Sequence, residues 1–135
     1  DELCDALAQR KLPLYAILTY DGREVWFPPH AADAEILAAF HVHQKSDKGF
    51  GVASGPDAAD NLAQSLRQRG FRTVQAQSPW RLQKGDLLRQ LAQGAAQAVS
   101  ETGRVHADHV ASWRAARAHA EACEIGHLDL FAVPV

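Results

Sequence analysis

The densest set of reactive side chains lies in residues 40–56, FHVHQKSDKGFGVASGP. His41, His43 and Asp47 are ordinary proton acceptors near neutral pH, and Lys48 supplies a cation. Gly49 and Gly51 flank Phe50, so a pliable backbone carries one large apolar side chain. A lid over a ligand is built this way. A polar linker whose Phe50 tucks into the core accounts for the same residues, and both readings stand at this point. On a helix, His41 and His43 sit two positions apart and diverge. His106 and His109 are three apart and face one way, but zinc needs three or four converging ligands and no third is indicated, so no metal is expected. No GxxxxGK[ST], GxGxxG or GxSxG occurs, which removes the usual phosphate cradles and the serine nucleophile elbow.

The elements that must position these groups follow from periodicity. Residues 1–11 have Leu3, Ala6 and Leu7 at helical spacing, with acids early and bases late. Residues 14–20, LYAILTY, form a continuous apolar run, as expected of a strand buried on both faces. Asp21-Gly22 signals a tight turn, and residues 23–27 alternate, so a hairpin or a strand with a short return is expected. A helix from Asp33 places Ile36, Leu37 and Phe40 together. Another begins near Pro56 and Asp57, carries Leu62 and Leu66, and ends at Gly70. Residues 71–82 alternate as a strand kinked at Pro79. A fourth helix has Leu87, Leu91, Ala95 and Val99 on one stripe, and a fifth spans the residues before Cys123. Residues 125–133 close as a strand. This order gives an α/β domain whose two late strands form the antiparallel edge of a mixed sheet. Trp26, Trp80 and Trp113 are expected to serve packing.

Composition bounds the possibilities further. The 135 residues suit one domain able to bury a core without staples. A net charge of −2, with the basic residues spread along the chain, argues against nucleic acid as a partner. The two cysteines, Cys4 and Cys123, lie at opposite ends and read as buried free thiols, not a disulfide framework. No apolar run approaches the ~18 residues of a membrane span and no signal peptide is visible, so a cytoplasmic setting is expected and a membrane partner is not.

Five segments together carry a resemblance: LTYDGR, HQKSDKGFG, GPDAADNL, SPW and GHLDLFA. With them, nearly the whole chain resembles the C-terminal half of a bacterial class I S-adenosylmethionine-dependent methyltransferase. The resemblance implies the C-terminal part of a Rossmann-like sheet, about three strands with covering helices. Residues 14–20 would be the fifth strand of such a sheet, and residues 71–82 and 125–133 its closing antiparallel pair. S-adenosylmethionine is the implied cofactor. In that family it is gripped by a glycine-rich turn after the first strand and an acid after the second. Neither has a counterpart here, so no cofactor-binding residue is assigned, and the chain alone is expected to be inactive.

An open α/β sheet binds ligands outside the carboxyl ends of its strands. Tyr20 and Asp21 occupy that end of the first strand, and Lys48 and Phe50 would fold over the same opening. These four are the expected substrate-binding residues for an unknown methyl acceptor. Asp21, His41, His43 and Asp47 are the candidate bases. With the first four strands of such a sheet elsewhere, residues 14–20 become an exposed apolar edge, and a homodimer through that strand or its helices is expected. Two alternatives remain: a non-catalytic α/β binding or dimerisation module, and a small hydrolase-like enzyme using histidine and aspartate in the glycine loop.

Overall fold

A computed structural model describes residues 2–49 and 51–135. The elements are α1 (Glu2–Arg10), β1 (Leu14–Phe27), α2 (Asp33–Lys45), a 3-10 turn (Gly55–Asp57), α3 (Ala58–Arg67), β2 (Phe71–Gln77), β3 (Trp80–Gln83), α4 (Asp86–Thr102), α5 (Ala107–Arg117) and β4 (Ala122–Pro134). Helices and strands share one α/β domain. Its four-stranded open sheet is built on β4, which pairs with β1 on one side and with β2 and then β3 on the other. Every described pairing is antiparallel, so the sheet is not mixed. β1 and β2 run parallel to each other with β4 between them, which is why no parallel hydrogen-bonded pair arises.

The Asp21-Gly22 hairpin does not form. β1 is a single strand of 14 residues, and the turn dipeptide is absorbed as a bulge. Tyr20 pairs with His127 and Glu24 with Ile125, so Asp21, Gly22 and Arg23 together oppose Gly126. Gly22 has φ +88°, and a Cβ there would fall 2.9 Å from Pro56 Cβ, which explains glycine at this position. A second bulge sets Ile17 and Leu18 opposite Asp129, with Leu18 at φ +58°. The Asp129 carboxylate holds it. It accepts from the Leu18 backbone N–H, from Ser78 Oγ at 2.6 Å and from the Tyr15 hydroxyl at 3.2 Å.

Residues 14–20 are not buried on both faces. Leu14 and Ala16 pack inward, while Tyr15 is 64 % exposed and Ile17 55 %. The cause lies in how the helices cover the sheet. Along β4, alternation puts Cys123, Ile125, His127, Asp129 and Phe131 on one face and Leu130 and Ala132 on the other. Helices α2, α4 and α5 cover only the first part of the first face, where Cys123 and Ile125 join Trp26, Ile36, Leu88 and Trp113 in the larger core. Helices α1 and α3 cover only the later part of the second face, where Leu130 and Ala132 meet Cys4, Ala63, Leu66 and Phe71. Each face is therefore clothed at one end and bare at the other.

The expected apolar stripe on α4 is displaced. The buried set is Leu88, Ala92, Ala96, Ala98 and Val99, and Leu87 is 53 % exposed. α4 packs against both α2 and α5, and its alanines allow the close approach. Leu91 and Ala95 instead line a cavity. Cys4 and Cys123 are buried free thiols, and Trp113 is buried. Arg117, unforeseen in the sequence, is 1 % exposed. Its guanidinium lies 5.4 Å from the Trp26 ring centre and 5.6 Å from that of Trp113, donates to the Pro28 carbonyl at 2.6 Å, and pairs with Asp33. No helix among the described residues is long and apolar enough to cross a membrane.

Candidate functional site

Where the helices of the larger core stop short of β4's middle, a cavity of about 420 Å³ opens between the sheet and α4. That volume is in the range of small-molecule sites. The sheet supplies Tyr20, Glu24, Trp26, Trp80, Ile125 and His127, all brought to one face by the β1–β4–β3 register. α2 adds Phe40 and Gln44, and α4 adds Leu87, Gln90, Leu91, Gly94 and Ala95. Four aromatic side chains thus meet around one space, and no lysine or arginine lines it.

Its polar groups are few and specific. Glu24 Oε1 accepts from the Trp26 indole N–H at 2.5 Å. Burial pushes the Glu24 carboxyl above the usual carboxylate range, with the indole bond opposing, nearby Asp33 adding to the rise and Arg117 opposing it. His127 is 6 % exposed, and its Nδ1 lies 3.1 Å from the Ile125 carbonyl oxygen. A carbonyl only accepts, so Nδ1 carries a proton towards it. The ring centre of His127 is 5.0 Å from that of Trp80 and 6.4 Å from that of Tyr20. Gln44 Oε1 is buried with no hydrogen-bond donor.

The residues expected from the sequence distribute unevenly around this cavity. Tyr20 lines it, and its hydroxyl meets His41 Nε2 at 3.0 Å. Burial, with Glu24 and Asp21 adding, raises the Tyr20 hydroxyl far above its ordinary value. Burial of the ring, with Lys45 adding, lowers His41. Tyrosine therefore donates and neutral histidine accepts. Asp21 sits in the bulge: its Oδ1 accepts from the Arg23 backbone N–H at 2.9 Å, against the bare backbone of Gly126. Asp47 Oδ1 accepts from the N–H groups of Gly49 and Gly51 at 2.7 and 2.9 Å and so organises its own loop. His43 Nε2 lies 2.9 Å from Glu101 and 3.1 Å from Lys48 Nζ. Among the described residues, no hydrogen bond joins Asp47 to His41 or His43. Phe50 lies outside the described residues. His106 caps α5, accepting from Asp108 N, and His109 Nδ1 pairs with Glu35 at 2.8 Å.

A shallower hollow of about 480 Å³ lies on the other side of Tyr20, Phe40 and Gln44, and His43 and Lys48 line it. Among the described residues, no acid lines that hollow. Trp26, Trp80, Glu24 and His127 were not expected as site residues. The one local signal was Glu24 in REVWF, an acid sharing strand parity with a tryptophan. The chain matches no known protein-family model, no curated protein and no solved structure.

Proposed function

We propose that this chain forms the acceptor side of an S-adenosylmethionine-dependent methyltransferase, shaping a pocket for the methyl acceptor while the donor is gripped elsewhere in the enzyme. The supporting observation is the strand order β1-β4-β2, with β4 antiparallel between two mutually parallel strands. A Rossmann-like sheet of this class would end in that arrangement, with β1 as its fifth strand and β1's free edge open to the preceding strands. Tyr20 and Asp21 stand in the middle of β1, whose carboxyl end is Phe27, so the aromatic cavity lies over the face of the sheet and not beyond the end of the strand. Holding an acceptor in one orientation is the contribution such a flank makes to transfer.

Calorimetric titration of the 135-residue chain with S-adenosylmethionine tests the division of labour. No saturable heat is expected, and tight binding by this chain alone overturns the proposal. In the enzyme that includes the donor-binding part, Tyr20→Ala is expected to lower kcat/KM for the acceptor without changing donor affinity. Unchanged kcat/KM removes the pocket from the reaction. A stand-alone binding module is the second reading, favoured by the four aromatic side chains, Tyr20, Trp26, Phe40 and Trp80, that this chain gathers around the cavity. Acceptor binding with no transfer in any donor-competent form would select it.

A further inference from the structure

We infer that the aromatic cavity is a binding site for a small organic amine, held by the faces of Tyr20, Trp26, Phe40 and Trp80 and by the carboxyl of Glu24. Taking that amine as the methyl acceptor rests on the methyltransferase reading, whereas its binding does not.

Ligand charge is the first discriminator. Aromatic faces carry negative quadrupole density, which attracts cations and repels anions. Among the described residues, the cavity's walls hold one acid, Glu24, and no lysine or arginine, so an anion entering it loses water and meets no cationic side chain of those two kinds, only the side-chain amides of Gln44 and Gln90. Arg117 is near, but its two terminal nitrogens are engaged by the Pro28 carbonyl and by Asp33, behind the rings of Trp26 and Trp113, and its Nε is buried without an acceptor among the described residues. The charge of the walls therefore disfavours a carboxylate or phosphate ligand.

Hydrogen-bonding capacity is the second. The walls have acceptors in need of donors. Among the described residues, Glu24 uses only Oε1, on the Trp26 indole. His127 is held with a proton on Nδ1 towards Ile125, and its Nε2, at the distal end of a nearly buried ring, accepts when the ring is neutral. Gln44 Oε1 is buried with nothing donating to it, a costly state for an amide oxygen. An ammonium group brings several N–H donors and a positive charge on one atom and meets both demands. A neutral alcohol brings one donor and no charge. The leucine and alanine side of the cavity, Leu87, Leu91 and Ala95, takes the apolar body to which the amine is attached.

The test uses the 135-residue chain and three isosteric probes: 2-phenylethylamine, 2-phenylethanol and phenylacetate. Each is titrated while the indole N–H resonances of Trp26 and Trp80 are followed by NMR. The amine is expected to shift both and to bind roughly tenfold more tightly than the alcohol, the size of one desolvated cation–π or carboxylate contact. Phenylacetate is expected to give no saturable shift. Glu24→Gln should abolish the preference for amine over alcohol, and Trp80→Ala, at a half-exposed position that the fold tolerates better, should weaken the amine alone. The inference is overturned if phenylacetate binds as well as the amine, or if folded Glu24→Gln and Trp80→Ala proteins both keep the parent preference. If the amine binds as expected but the donor-competent enzyme methylates nothing, the methyltransferase reading falls and the site stands. If the amine does not bind and that enzyme methylates only acids or phenols, the reading stands and the inference falls.

Discussion

Arg117 and Asp33 tie the start of α2 to α5, with two tryptophans stacked about the guanidinium and the Trp113 indole donating to Asp33 at 2.8 Å. Removing one member leaves a buried charge unanswered. Arg117→Met is therefore expected to cost about 3 kcal/mol, read as a fall in the urea midpoint at constant m. An unchanged midpoint would mean that Asp33 is fully served by its other donors. Burial works to raise Asp33, but the His30 N–H, the Trp113 indole and Arg117 outweigh it and hold the carboxyl below its ordinary value. A lowered folded-state value contributes stability above the unfolded value, near pH 4, and that stability is lost as pH falls through the folded value. Urea midpoints at pH 7 and pH 3 check the sign: Asp33→Asn should narrow the gap between them. None of this was legible beforehand. An arginine near the end of an alanine-rich helix reads as a solvated charge, and only the long-range approach of Trp26 and Asp33 buries it.

Local signals located the helices and strands, though residues 71–82, expected as one kinked strand, divide at Ser78-Pro79 into β2 and β3, and two of the misjudged details have identifiable local reasons. Asp-Gly favours positive φ, which a two-residue hairpin and a bulge both use. Here β4 continues past the bulge and keeps Arg23 to Phe27 in the same strand, so pairing overrode the turn. On α4, leucines at 87 and 91 and alanine at 95 mark one apolar face, yet the helix has two. The alanine-rich face packed inward, and the leucine face became a cavity wall. The bulge has its own requirement. A Cβ on Gly126 would lie 2.1 Å from Asp21 Oδ1. Gly126→Ala is expected to destabilise the domain by about 2 kcal/mol, as overpacking of a tight site does. Adding Asp21→Gly should recover part of the loss, so the double variant's urea midpoint will exceed the additive expectation. Strict additivity would show that the two residues do not share the space.

Across the whole domain, the bare ends of the sheet and the free edge of β1 dominate the surface chemistry. Tyr15, Phe131 and Val74 form one row across three strands, with the rings of Tyr15 and Phe131 6.3 Å apart, and Tyr15 and Val74 are 64 % and 60 % exposed. An apolar row beside an unpaired strand invites another strand or helix. We propose that this chain, studied in isolation, self-associates through β1 as a homodimer. Sedimentation equilibrium at high concentration should show the dimer, and Ile17→Lys should return it to monomer. A monodisperse parent monomer would leave that face to some other partner.

β4 also governs when the molecule can exist. It is hydrogen-bonded to every other strand and follows all of them in the chain, and its pairs with β1 join residues more than 90 positions apart, such as Phe27 and Ala122. During synthesis β1, β2 and β3 wait for their common partner, so this pairing cannot form until the residues of β4 clear the ribosomal tunnel.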